Sequence, residues 1–217
     1  MFTGIVEGVA RVTRIQPRGE AFRFGLDLGP VAEGLKIGDS VAVDGACLTV
    51  VTLSGTLAEF DVIRETVERT AFKQLAVGSG VNVERPMSAS GRFHGHLVSG
   101  HVDAPGTIVV KREDAGQTWL TVETLPELTK LMVGKGSVTL SGVSLTLTEV
   151  TDTRFSVALI PHTLEVTTLG ERVVGELLNV EVDQLAKLVH RFLAPYLPEG
   201  AGGLDLDTLR RAGFGGA

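Results

Sequence analysis

Cys47 is the single cysteine of a 217-residue chain, and it sits in VDGACLTVVT, Val43 to Thr52. Ninety-seven residues later LSGVSLTLTE, Leu140 to Glu149, repeats that stretch with Ser144 in place of the thiol. A free cysteine in an apolar strand is most often inert core filler, but a hydroxyl is a poor core isostere unless it meets a partner or a ligand. The pair therefore predicts a pocket in both copies. Histidines cluster in FHGHLVSGH, Phe93 to His101. No Cys, Asp or Glu accompanies them at ligand spacing, so no metal site is expected. His101 instead offers a group that exchanges protons near neutral pH. Lys135 lies in VGKGS, which lacks the first glycine of a phosphate loop and leads into a strand, so that motif is rejected. No dinucleotide fingerprint and no G-x-S-x-G elbow occurs. Any chemistry must be run by scattered side chains acting on the substrate itself.

What positions these residues is an internal duplication. Ser40-Val41 matches Ser137-Val138, Gly45 matches Gly142, Leu48-Thr49 matches Leu145-Thr146, and Ile63, Thr66 and Glu68 match Ile160, Thr163 and Glu165. VGSGVNVE, Val77 to Glu84, aligns with VGELLNVE, Val174 to Glu181. MFTGIVE pairs with LVSGHVD, Leu97 to Asp103, with a shift of one residue, which sets His101 opposite Ile5. An ionisable group thus stands in only one of the copies. Within each copy apolar residues alternate with polar ones or run in short blocks punctuated by Gly, Asp and Pro, as in FRFGLDL, SVAVDGACLTVVTL and LAEFDVI. This pattern predicts an all-β protein: two tandem, similar six-stranded Greek-key barrels, closed so that no strand edge is exposed, plus a C-terminal α-helix. Short helices fit GPVAEGL, TVERTAFKQL and its partner TLEVTTLGE. The expected divisions are 1–96 and 97–183 for the barrels, joined through the linker from Arg85 to His96, then 184–197 for the helix and 198–217 for a flexible, Gly-rich tail.

In the expected helix Leu185, Leu188, Val189, Phe192, Leu193 and Tyr196 recur at helical spacing. An apolar stripe outside both repeats needs a cover, and the same helix of another copy supplies one. Twenty Lys and Arg against 26 Asp and Glu give a net charge of −6, and no basic run occurs, which argues against a nucleic-acid partner. No membrane-length apolar stretch and no signal-peptide pattern appears, so a soluble, cytoplasmic protein is expected.

MFTGIVEG, DGACLTV, HGHLVSGHVD, GVSLTLTEV and IPHTLEVTTLG, in this order across residues 1 to 195, closely resemble the riboflavin synthase family of the alpha-subunit type. The resemblance implies a homotrimer with a trimerisation helix and no metal or organic cofactor. Its reaction would be the dismutation of two molecules of 6,7-dimethyl-8-ribityllumazine to riboflavin and 5-amino-6-ribitylaminouracil. It also raises a lumazine synthase as a partner. Each active site would lie between the N-terminal barrel of one chain and the C-terminal barrel of its neighbour. By this resemblance, substrate contacts in the first barrel fall on Gly4, Ile5, Val6, Cys47, Leu48, Thr49, and Asp61, Val62, Ile63, Arg64, Glu65 and Thr66. In the second they fall on Gly100, His101, Val102, Lys135, Ser144, Leu145, Thr146, and Ala158, Leu159, Ile160, Pro161, His162 and Thr163. His101 is the candidate for proton transfer and Cys47 or Ser144 for nucleophilic addition. Asp183 and Ser40 resemble residues near the family's site, and Phe2 is a candidate to pack on a ring. His94 stands where glycine is common, and Ser141 where aspartate is common in the second barrel's turn. A noncatalytic lumazine- or flavin-binding antenna protein is the competing reading; it is expected to lose reactive residues that this chain retains.

Overall fold

The computed structural model describes residues 1–114 and 116–196; the flexible tail expected over 198–217 and the last residue of the expected helix, 197, lie outside the described residues. The first copy contributes β1 (Gly8–Arg18), β2 (Ala21–Asp27), β3 (Ser40–Val43), β4 (Ala46–Ser54), β5 (Leu57–Ile63) and β6 (Gly80–Glu84), closed in the order β1-β2-β5-β4-β3-β6. The second contributes β7 (Ala104–Asp114), β8 (Gln117–Glu123), β9 (Ser137–Leu140), β10 (Val143–Val150), β11 (Arg154–Leu159) and β12 (Leu177–Val182), in the same cyclic order. All the pairings are antiparallel. Because β2 pairs with β5 and β6 closes between β3 and β1, the connections pass over the barrel ends as a Greek key requires.

Period-two patterning fills each interior. Leu26, Val41, Phe60, Val62 and Val81 point inward in the first barrel, and Ile108, Leu120, Val138, Leu147 and Phe155 in the second. Register shifts after Val12 and Val50 recur after Ile108 and Leu147, at corresponding places of the two copies. Such bulges bend a long strand enough to serve two walls of a small barrel. α1 (Arg64–Arg69) and α3 (Pro161–Val166) follow β5 and β11, and α2 (Pro126–Thr129) precedes β9. α4 (Gln184–Leu193) continues as a 3-10 turn over Ala194–Tyr196. Among the described residues no helix is long and apolar enough to cross a membrane.

The barrels meet around a pseudo-two-fold axis rather than through the linker. The β3–β4 turn carries Asp44 at φ 42° and Gly45 at 81°, and the β9–β10 turn carries Ser141 at 45° and Gly142 at 81°. A Cβ on either glycine would approach the other's backbone nitrogen to 2.8 Å, so both the conformation and the contact demand glycine. A reciprocal buried network surrounds them. Asn82 Nδ2 donates to Ser141 O (2.9 Å) and Asn179 Nδ2 to Asp44 O (2.8 Å). Their Oδ1 atoms accept from Thr168 N (2.8 Å) and Ala71 N (2.7 Å). Where Asp44 Oδ1 accepts from Asn82 N, the Ser141 hydroxyl accepts from Asn179 N, so serine keeps the turn that aspartate makes in the other copy. Charge breaks the symmetry. Arg172 NH2 lies 3.7 Å from Asp44 Oδ2, while the repeat puts Leu75 where Arg172 stands. Burial pushes the Asp44 carboxyl up to about 6, against the pull of its bond from Asn82 N and the Arg172 charge.

Candidate active site

Cys47 and Ser144 begin their strands on the outer wall. In the first copy Ser40 pairs with Thr49 and Ala42 with Cys47; in the second Ser137 pairs with Thr146 and Thr139 with Ser144. Paired residues share a face, so these eight side chains face outward while Val41, Leu48 and Val138 face the core. The pockets implied by the cysteine–serine pair therefore lie outside the filled barrels, where the front ends of the repeats pass.

Each front end is an arm clamped by a carboxylate of its own barrel. Glu84 accepts from Thr3 N (2.7 Å), Thr3 Oγ1 (2.8 Å) and Gly4 N (3.0 Å). Glu181 accepts from Ser99 N (2.7 Å), Ser99 Oγ (2.6 Å) and Gly100 N (3.1 Å). Burial raises the Glu84 pKa, while the bonds from Thr3 and Gly4 lower it. The tips then cross. Cys47 N donates to Gly100 O and Ser144 N to Gly4 O, both at 2.8 Å. Val102 packs against the first barrel's core and Val6 against the second's. Gly4 and Gly100, at φ 76° and 81°, leave no room for a Cβ, which would sit 2.6 Å from Ser144 Cβ and 2.7 Å from Cys47 Cβ respectively. The grouping by barrel that the resemblance implied is thus corrected: Gly4 adjoins Ser144, and Gly100, His101 and Val102 adjoin Cys47. Phe2 N donates to Val98 O (2.8 Å) and Val98 N to Phe2 O (3.2 Å), joining the arms. Phe2 is buried with Ala42, Val98 and Cys47, so its ring packs protein rather than an open pocket.

The first site is a hollow of about 270 Å³ whose walls include Cys47, Ile63, Glu65, Thr66, Gly100, His101 and Val102. Here a thiol, an imidazole, a carboxylate and a hydroxyl surround an apolar floor, a mixture suited to a flat polar ring with a hydroxylated chain. The other members of the expected segment stay out of the hollow. Asp61 is held by Arg23 through Oδ1 (2.7 Å) and Oδ2 (2.9 Å), Val62 lies in the core, and the Arg64 guanidinium stands 5.9 Å from the Phe22 ring centroid.

The second site centres on a residue that the sequence reading considered only as a metal ligand. His96 Nδ1 is 2.7 Å from Ser144 Oγ, the ring is buried, and Nε2 has no hydrogen-bond partner among the described residues. Burial lowers the His96 pKa, with the charge of Asp183 opposing that shift. Asp183 also caps α4, accepting from Leu185 N at 2.9 Å. Cys47, in contrast, faces an exposed histidine, His101. No sequence signal joins His96 to Ser144, 48 positions away in the other wall. Ile5, Thr146, Ile160, Pro161 and His162 are exposed, Leu145, Ala158 and Thr163 half-buried, and Leu159 in the core. Lys135 is exposed at φ 67°, whereas the repeat places Gly38 at its position in the first copy. A lysine held in the left-handed region costs about 1 kcal/mol, which fits a side chain kept for its charge. A larger hollow, about 540 Å³, opens beside Ile5 between Leu35, Met87 and His94; neither Cys47 nor Ser144 lines it, and its Glu7 is taken by Arg85 at 2.6 Å. Chemistry favours the smaller one.

Duplicated barrels with crossed arms and an outward hollow at Cys47 define a tandem ligand-binding class. A family model described as lumazine binding domain matches residues 3–86 and again 99–183. Riboflavin synthase of Actinobacillus pleuropneumoniae is 40% identical over 215 residues, covering 99% of this chain and 100% of that protein. Riboflavin synthase of Bacillus subtilis is 40% identical over 193 residues, 89% of this chain and 90% of that one. The crystal structure of LumP complexed with riboflavin superposes with a TM-score of 0.77 at 26% identity, covering 84% of this chain and 99% of that chain. The chain belongs to the lumazine-binding domain family and, within it, to the riboflavin synthases.

Proposed function

We propose that this chain converts two molecules of 6,7-dimethyl-8-ribityllumazine into riboflavin and 5-amino-6-ribitylaminouracil. The observation that carries the reading is the unequal chemistry of two homologous sites: Cys47 beside His101 in one, Ser144 bonded to His96 in the other. Two identical molecules must play different parts, one giving up a four-carbon unit and the other accepting it. Duplication supplies two matching cradles, and divergence supplies the difference. The two products contain all the atoms of the two substrates, so neither oxidant nor reductant is consumed. What the protein must provide is orientation of two rings and movement of protons at an acidified methyl group. A neutral His96 can take a proton through the Ser144 hydroxyl, and His101 can exchange one with solvent at the first site.

Face-to-face placement of the rings requires the two pockets to come from different chains. Within one chain the joined arms fill the space between Cys47 and Ser144. The exposed stripe of α4, with Leu185 58% and Phe192 72% accessible, supports assembly through that helix, and the homotrimer is the form we propose, in the cytoplasm. The test is incubation of the purified, cofactor-free protein with the lumazine. Riboflavin absorbance should appear, one product molecule for each two substrates consumed. Stable binding of the lumazine without turnover would replace this reading with that of an antenna protein.

A further inference from the structure

Each site depends on a carboxylate that chain order assigns to the opposite barrel. Glu181 lies one residue from the end of β12 of the second barrel, yet all three bonds that its carboxylate accepts hold Ser99 and Gly100. That arm is the outer wall of the first barrel's pocket: Gly100 O receives Cys47 N, and Gly100, His101 and Val102 line the hollow. Ser99 Oγ, itself fixed by Glu181, accepts from His101 N at 3.3 Å. A continuous path therefore runs from Glu181 through Ser99 and Gly100 to Cys47 and His101. The mirror path runs from Glu84 of the first barrel through Thr3 and Gly4 to Ser144, with Thr3 Oγ1 accepting from Ile5 N at 3.3 Å. Glu181 itself stays out of the lining of the hollow it serves.

We propose that Glu181 is the positioning residue of the Cys47–His101 pocket and Glu84 that of the Ser144 site, so that each barrel orders the other's pocket. The physical basis is the clamp. An ionised carboxylate receiving two backbone N–H groups and a hydroxyl makes charge-assisted bonds, and no other described side chain holds these arm tips. With glutamine, one acceptor oxygen becomes an N–H₂ group facing another donor, and the tip is released. Because Gly100 O accepts from Cys47 N and Gly100 shares the wall of the hollow with Cys47, displacement of the arm opens access to the thiol.

The proposal rests on the reading of that hollow as a substrate pocket, but its test needs no substrate. Cys47 is the only cysteine, so alkylation by iodoacetamide, followed by mass spectrometry on the full-length folded protein, reports one atom. Glu181→Gln should raise the alkylation rate by roughly tenfold or more, the scale set by losing a charge-assisted bond at the arm tip. Ser99→Ala, a smaller lesion on the same path, should raise it severalfold and covers the case that Glu181→Gln does not fold. Glu84→Gln and Thr3→Val, although in the barrel that carries Cys47, should leave the rate within about twofold of the parent. An increase with Glu84→Gln matching that with Glu181→Gln would overturn the crossed assignment. So would a rate unchanged in both Glu181→Gln and Ser99→Ala. Failure of the chain to make riboflavin would leave these rates as they are, so the two claims fail separately.

Discussion

At the scale of residues, the two reactive centres differ by more than sulfur against oxygen. Ser144 has a buried imidazole on its hydroxyl, and Cys47 does not. Burial lowers the His96 pKa, so the ring stays neutral, and able to accept a proton, below the usual histidine range. The unfolded chain binds this proton more readily, so His96 contributes stability above the ordinary histidine value that is lost as pH falls through the folded one. His96→Gln keeps a hydrogen-bonding group but removes the base. It should reduce kcat on the order of 100-fold and abolish the acid limb of the pH–rate profile, with KM little changed. A variant with an unaltered profile would remove His96 from the proton path. His101, exposed at the other site, is the histidine that the repeat comparison singles out.

At the scale of elements, the opposed β3–β4 and β9–β10 turns set where both strands begin, and hence where Cys47 and Ser144 emerge. Asp44 is the charged member of that junction. Its carboxyl, raised from 3.8 to about 6, keeps a proton in the folded protein over a range in which the unfolded chain has released it. Asp44 therefore favours the folded state below about pH 4 relative to neutral pH, and its contribution falls as pH rises from about 4 to 6, by up to ~3 kcal/mol. Asp44→Asn accepts from Asn82 N in the same way and does not titrate. Its stability relative to the parent, read from urea midpoints, should improve steadily between pH 4 and 7. A difference independent of pH would show that Arg172 keeps Asp44 ionised throughout.

At the scale of the whole molecule, the pseudo-two-fold axis makes the chain resemble a dimer of barrels whose arms are exchanged, leaving Cys47 and Ser144 on the outer walls. A site shared between chains predicts complementation. One variant is disabled at Cys47 and Thr49, the other at Ser144 and Thr146, and neither alone should make riboflavin at a useful rate. Unfolded together, mixed equally and refolded, they should recover activity, since roughly a quarter of random contacts join two intact barrels. Verified mixed oligomers that stay inactive would place the whole site within one chain, because every chain then carries a lesion.

The amino-acid sequence by itself determined the duplication, the strands of each barrel and the amphipathic stretch of α4, because these rest on periodicity and local turn chemistry. Inward residues alternate with outward ones, and Asp44-Gly45 and Ser141-Gly142 mark their turns without reference to distant contacts. The same comparison singled out Cys47, Ser144 and His101 as positions where the copies differ in chemistry. Only the tertiary structure decided which of them meet. Contact order is long here: Cys47 meets Gly100, and Ser144 meets both Gly4 and His96, pairs that no local pattern encodes. Chain order attaches each arm to the barrel that follows it. The arms cross instead because a pseudo-two-fold junction brings each strand start closest to the opposite arm, where its backbone N–H finds the carbonyl it needs. His96 was hidden for the same reason: its role depends on a hydroxyl supplied by a different strand, and burial, which tunes it, is a property of the folded molecule alone.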